Sequence, residues 1–265
     1  MSIKKIGWFT TARDEAALEL LNIVYNQIKQ KFLPLEIAYV FVSKNKGETQ
    51  ISDKLIEIAE KDMNLKTICF SALKYEPNLR KKDKELWRNK YHEEIYKILP
   101  EEIDFGVLAG YMWIVSPDFC EKVKLINLHP ALPGGPKGSW QEVIWQLISC
   151  RSAETGIMMH RVTPELDEGP PLSYVKFSIK TPEFEPLWEH TEKILLKYHL
   201  SGLKKLEGEK NKLFLKIREE GVKRELPLIV YTLKYLAEEK ITFENQEPMN
   251  LTEKVEEFLK TKKFS

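Results

Sequence analysis

Apolar and polar positions along the first half of the chain alternate between two periods. Residues 5–9 form a short apolar run that reads as a strand. From Asp14, an N-cap candidate, to Lys29, the residues Ala17, Leu20, Leu21, Val24 and Ile28 recur at spacings of three and four, which predicts a helix with one buried face. Residues 35–42 read as a second strand, bounded by Pro34 and a polar turn at 43–47. Ser52 is placed to cap a helix that turns Leu55, Ile58 and Ala59 inward, and residues 67–70 make a third strand. The charged stretch 78–99 carries Leu86, Tyr91, Ile95 and Ile98 as its expected buried stripe, and residues 105–109 and 124–128 are the next strands. Alternation of this kind predicts an α/β fold, a doubly wound and mostly parallel sheet with helices on both faces.

The second half changes character. Residues 156–162 and 172–179 are β-rich and joined by a Pro/Gly/Asp loop, and from Glu183 onward the periodic segments 188–206, 213–220 and 225–239 are helical. The expected organisation is an α/β catalytic core at 1–182, with a helical insertion and carboxy-terminal helices at 183–265 packed on it. Trp140, Ile144, Leu147 and Ile148 have helical spacing and read as core, whereas His92, His190 and His199 lie in charged stretches and read as surface.

Composition narrows the function classes. Among 265 residues, 43% are apolar and 31% charged, which excludes a disordered chain. Lys plus Arg number 41 against 40 Asp plus Glu, so the basic footprint of a nucleic-acid binder is missing. The longest nearly apolar run, residues 105–115, is far shorter than the roughly 20 residues of a membrane span. The start of the chain has no signal-peptide pattern. Cys69, Cys120 and Cys150 are far apart, odd in number and without metal-ligand spacing; they read as buried thiols of a cytoplasmic protein, with no metal expected.

Open parallel sheets place ligands beyond the carboxyl ends of their strands. Two loops at such positions stand out: 109–114, Ala-Gly-Tyr-Met-Trp-Ile, and 127–135, which begins Asn-Leu-His-Pro. In extended chain Asn127 and His129 face the same way, pairing an amide donor with a titratable imidazole, suited to holding a carbonyl oxygen that becomes negative. The third element is 166–171, Leu-Asp-Glu-Gly-Pro-Pro.

These motifs resemble the formyltransferase family that uses 10-formyltetrahydrofolate, glycinamide ribonucleotide transformylases in particular. The resemblance rests on Asn127-x-His129-Pro130 with Leu132-Pro133, then Thr155 to Val162 leading to Asp167-Glu168-Gly169-Pro170. It implies an enzyme of one-carbon metabolism, with a place in purine biosynthesis. Asn127 and His129 would polarise the formyl oxygen, while Asp167 would orient His129 and help move protons. Gly110, Tyr111, Met112, Trp113, Ile114, Val162 and Leu166 would line the folate. Thr10, Thr11, Arg13 and His160 are the candidates for acceptor binding, with His160 either lining the site or serving as a hydrogen-bonded core imidazole. The expected partners are a small primary amine and the folate, with no nucleic acid and no membrane; a homodimer is a further expectation.

Departures from the family pattern qualify the acceptor. Its glycine-rich phosphate loop is replaced here by Phe9-Thr10-Thr11-Ala12-Arg13-Asp14, which has no glycine, and Trp113 stands where the family usually has arginine. Two other readings stay open at this point: a 10-formyltetrahydrofolate hydrolase that uses water as acceptor, and a non-catalytic folate-binding protein on the same fold.

Overall fold

The computed structural model describes residues 3–100, 102–244 and 247–261. The outermost ends of the two expected portions, residues 1–2 and 262–265, lie outside the described residues. Eight strands are present among the described residues: β1 (Lys4–Thr10), β2 (Leu35–Val42), β3 (Thr67–Cys69), β4 (Phe105–Leu108), β5 (Leu125–His129), β6 (Glu154–Arg161), β7 (Pro171–Ser178) and β8 (Met249–Asn250). They form one sheet in the order β3-β2-β1-β4-β5-β6-β7-β8. The first five pair in parallel, β6 runs antiparallel to both β5 and β7, and β8 returns parallel to β7. The chain order reverses between β1 and β4, which creates a crevice at the carboxyl ends of those strands.

The central parallel strands β1, β2 and β4 are largely buried on both faces, which is why their sequences are nearly continuous apolar runs. On one face lie α1 (Glu15–Lys29), the second half of α8 (Lys212–Ala237) and α9 (Thr252–Thr261), sharing a core with Ile6, Trp8, Val40 and Ile126. On the other face α4 (Lys84–Ile98) and α5 (Pro117–Lys122) cover Phe9, Tyr39, Phe41 and Leu125. A separate core joins α6 (Trp140–Ser149), α7 (Glu185–Leu206) and the first half of α8. Ile144, Leu147 and Ile148 belong to it, with Trp140 packed against its edge.

Several expectations need correction. The helix α2 (Gln50–Glu57) is capped by Thr49, whose hydroxyl accepts the Ser52 N–H at 3.3 Å; Ser52 lies inside the first turn and is buried. Asp14 does stand at the N-cap of α1, but its carboxylate binds Arg13 at 3.2 Å and makes no capping bond. The stretch 78–99 breaks at Asp83 into α3 (Pro77–Lys82) and α4, because the Asp83 carboxylate caps the second helix through Glu85 and Leu86. Its buried stripe is Trp87, Tyr91, His92 and Ile95, while Leu86 and Ile98 are 45% and 42% exposed. His92 is therefore a core residue, and the surface assignment fails; His190 and His199 are exposed as expected. Cys120 is buried, Cys69 half-buried and Cys150 exposed, so the thiols are not uniformly interior. The segments 213–220 and 225–239 are one helix, α8, running through Gly221 and Pro227. None of the described helices is long and apolar enough to cross a membrane.

Candidate active site

Alternation along β5 decides where its side chains go. Leu125 enters the core beneath α4 and α5, Ile126 enters the opposite one, and Asn127 and His129 therefore share the face of Leu125. In the antiparallel register Asn127 lies opposite His160 of β6, which brings a third polar side chain to that face. Asn127 is half-buried, and its side chain has no hydrogen-bond partner among the described residues. His129 is 3% exposed. Its Nε2–H donates to the Pro136 carbonyl at 2.9 Å, and its Nδ1 stands 3.6 Å from Asp167 Oδ2. That second separation is too long for a direct hydrogen bond.

Asp167 reaches His129 because of its backbone. It adopts φ 56°, a left-handed conformation that Asp and Asn tolerate better than most residues, at the tip of the loop between β6 and β7. The base of that loop is pinned by Arg161 N–H donating to the Pro170 carbonyl at 3.0 Å. Gly169 packs against the same strand so closely that a β-carbon there would overlap the Arg161 carbonyl oxygen. From the other side Gly138 N–H points at Asp167 Oδ2 at 3.4 Å, and Lys137 pairs with Glu168 at 2.6 Å. The loop from Pro133 to Gly138 thus closes on both His129 and Asp167 and bounds a cavity of about 190 Å³ between them. Pro136 and Gly138 were not among the sequence candidates; the density of proline and glycine at 133–138 was their only signal.

His160 is a hydrogen-bonded imidazole beside His129. Its Nδ1–H donates to the Arg161 carbonyl at 3.0 Å, and its ring lies edge-on to that of His129 with centres 6.2 Å apart. Its Nε2 is buried with no hydrogen-bond partner among the described residues. Burial lowers the His160 pKa, with the bond to Arg161 opposing and the neighbouring His129 adding to the effect.

The segment after β4 forms the neighbouring wall. Leu108 pairs in register with Asn127, so Ala109 and Gly110 emerge one strand away from the polar face. Gly110, at φ 69°, offers its carbonyl to the Thr11 N–H at 3.1 Å. Met112 N–H and the Ser43 hydroxyl both donate to Thr11 Oγ1, at 2.9 and 3.0 Å, and Trp113 Nε1–H donates to Ser43 Oγ at 3.2 Å. Thr10 is fully buried, and its hydroxyl oxygen accepts the Ala12 N–H at 3.0 Å. The two threonines thus bind the first loop to itself and to the segment after β4.

Tyr111 turns inward, its hydroxyl donating to His92 Nε2 at 3.1 Å while His92 Nδ1–H donates to the Arg88 carbonyl at 2.9 Å. Burial raises the Tyr111 pKa and lowers that of His92 to about 4, so this contact is between neutral groups. Ser43 and His92, neither a sequence candidate, are the supports of this segment. Met112, Ile114 and Leu166 stay outside the cores, 54%, 51% and 56% exposed, while Trp113 and Val162 are half-buried. Exposed apolar side chains grouped on the loops at one sheet edge are what an aromatic ligand requires of a protein. Among the described residues no group of His, Cys, Asp and Glu has the disposition of a metal site.

The family model described as formyl transferase matches residues 16–186. A phosphoribosylglycinamide formyltransferase of Dictyostelium discoideum is 32% identical over 160 residues, 56% of this chain and 73% of that protein. The enzyme of the same name from Saccharomyces cerevisiae is 29% identical over 144 residues, 50% of this chain and 67% of its own length. Among solved structures, glycinamide ribonucleotide transformylase 1 from Symbiobacterium toebii superposes over 94% of this chain and 92% of its own, with a TM-score of 0.60 at 16% identity, a likeness of fold.

Proposed function

The chain belongs to the formyl transferase family, and we propose that it moves the formyl group of 10-formyltetrahydrofolate to a small primary amine, with Asn127, His129 and Asp167 carrying the transfer. The observation that supports this reading is the approach of His129 to a nearly buried Asp167, on the same strand face as an Asn127 side chain that has no partner among the described residues. The folate supplies an activated one-carbon unit when bound, so the protein needs no nucleophile of its own. Asn127 donates its amide N–H to the oxygen on which negative charge collects. His129 leaves the Pro136 carbonyl and gives its Nε2–H to that same oxygen. Asp167 keeps the imidazole oriented and receives, through water, the proton that the attacking amine must lose. His160 packs beneath this group, its buried Nε2 without a hydrogen-bond partner among the described residues.

The pterin end of the folate is assigned to the backbone of residues 110–114 and to the loop from Val162 to Leu166, with Met112, Ile114 and Leu166 as its apolar contacts and Trp113 as a wall. Tyr111 contributes only its backbone, since its ring and hydroxyl face the core. The relatives named for phosphoribosylglycinamide make glycinamide ribonucleotide the first acceptor to assay, with Arg13 the exposed cation of the first loop. In this reading residues 1–182 hold the reacting groups and residues 183–265 complete the acceptor side.

The test is release of tetrahydrofolate from 10-formyltetrahydrofolate with and without an amine. The proposal expects release that depends on the amine and yields the formamide in equal amount. Equal rates without amine would make the protein a hydrolase, and binding without turnover under any condition would leave a folate carrier.

A further inference from the structure

The formyl donor ends in a glutamate, so the end of it remote from the pterin is anionic. Beside the segment after β4 stands a cation held ready for such a group. The guanidinium carbon of Arg80, in the last turn of α3, lies 5.7 Å from the centre of the Trp113 ring and 5.8 Å from that of Trp87. Resting on the formyl-transfer reading, we infer that the basic end of α3 binds the glutamate tail, and that the preferred donor carries a γ-linked oligoglutamate chain in place of a single glutamate.

Three observations carry the inference. First, the Arg80 side chain is held in place without being answered. The Trp87 and Trp113 rings are 5.4 Å apart, Trp87 stacks on Tyr91 at 5.0 Å, and Tyr91 stacks on Phe70 at 5.3 Å. The two indole N–H groups are anchored as well, Trp87 to the Tyr75 carbonyl at 2.8 Å and Trp113 to Ser43 Oγ at 3.2 Å. Aromatic faces hold a guanidinium while leaving its N–H fork and its charge available. Arg80 is half-buried, and its guanidinium has no hydrogen-bond or ion-pair partner among the described residues.

Second, the positive charge continues along the chain. Between residues 80 and 88 five cations stand against two carboxylates, in a chain whose net charge is only +1. One of those carboxylates, Asp83, is occupied by the N–H groups of Glu85 and Leu86. Lys81, Lys82 and Lys84 are exposed and make no ion pair among the described residues. Exposed lysines elsewhere do pair, as Lys61 does with Glu57 and Lys97 with Glu93. A local run of unanswered cations attracts a chain that carries one carboxylate per residue.

Third, one residue joins the two ends of the donor. Trp113 is the wall assigned to the pterin and also the platform under Arg80. A tail that leaves the pterin along this wall meets Arg80 first and the lysines beyond it.

The experiment is calorimetric titration of tetrahydrofolate, as monoglutamate and as pentaglutamate, with no amine present. The parent should bind the pentaglutamate about tenfold tighter or more, since exposed ion pairs contribute roughly two- to fivefold each. Raising the salt to about 0.5 M should shrink that advantage, because these charges are open to screening. The triple variant Lys81→Gln, Lys82→Gln, Lys84→Gln should bring the two forms within about threefold of each other, with monoglutamate binding and Tm unchanged. Arg80→Gln should weaken both forms by about tenfold, since the bond to the first carboxylate is common to them. This pattern supports the tail site even if no amine is ever formylated, in which case the transfer reading alone falls. Equal binding of the two forms, an advantage that salt or the triple variant leaves untouched, or unchanged affinity in Arg80→Gln overturns the inference while amine-dependent transfer can still stand. Binding of neither form overturns both.

Discussion

Replacing Asp167 with asparagine tests the proposed chemistry with little disturbance of the loop. Asparagine accepts the left-handed backbone at this position. Its side-chain oxygen can still take the Gly138 N–H that now points at Oδ2, so the shape of the cavity survives. What disappears is the negative charge 3.6 Å from His129 Nδ1. The attacking amine nitrogen gains positive charge as its bond to the formyl carbon forms, and the carboxylate on this face of the site answers that charge. Two unit charges at that separation attract by about 4–5 kcal/mol at the effective dielectric of about 20 that suits protein sites. Asp167 retains a little solvent contact, with its side chain 11% exposed, so about 3 kcal/mol is the working figure. That corresponds to a fall of about 10² in kcat, the lower end of what positioned acid–base groups contribute. The assay is steady-state formyl transfer at saturating folate, together with the folate dissociation constant and Tm. The variant should lose kcat while KM for folate changes by less than about threefold, because the lost charge acts on the moving proton and not on the bound pterin. A kcat within about threefold of the parent would refute the role given to Asp167.

Asn127→Ala removes an amide with no structural partner among the described residues, so it should lower kcat by about 10² with no change in Tm, read by the same assay and by calorimetry. Gly169→Ala forces a β-carbon onto the Arg161 carbonyl oxygen; it should cost about 2 kcal/mol in urea unfolding and depress activity by dragging Asp167 away from His129. His92 is protonated in the unfolded chain below about pH 6.5 but stays neutral in the fold down to about 4, so its contribution is complete above pH 6.5 and fades as the pH falls through that window. Between about pH 7 and pH 4.5 the parent should lose about 2–3 kcal/mol more than His92→Gln in urea titrations, and parallel losses would disprove the linkage.

Much of this architecture is readable in the residues, and the misreadings share a cause. The β1 and β2 runs emerge because they are apolar almost throughout, and α1 because its buried residues recur at helical spacing. His92 reads as surface because its neighbours Lys90, Glu93 and Glu94 are charged; the helix turns them outward and drives the imidazole onto Tyr111 and Phe119. Local polarity hides a face that only the fold defines. Residues 213–220 and 225–239 read as two helices with a gap at Gly221, yet α8 runs through Gly221 and Pro227 alike, because packing on either side outweighs the lost hydrogen bond. The small elements β8 and α9 escape detection for the opposite reason: two residues and a charged ten-residue helix carry too little periodic signal. In the candidate site, the nearness of His129 to Asp167 is legible through the order of the motifs. The closure by Pro136 and Gly138 is not, since it depends on how a loop folds back over distance.

The helix α8 belongs to two cores at once. Leu213, Phe214 and Ile217 sit with α6 and α7, while Leu228, Val230 and Leu233 sit against the sheet beside α1. The helical region therefore cannot be treated as a detachable module. A chain cut before α8 would strip one face of the sheet, and a deletion of α7 would leave the front half of α8 with its apolar side in water. Transplanting the site to another scaffold, or trimming this chain to a minimal catalyst, would have to keep the rod whole. Along its exposed flank at Val222 and Lys223 the same rod also meets a cavity beside α1, so a cut there would reshape that cavity as well.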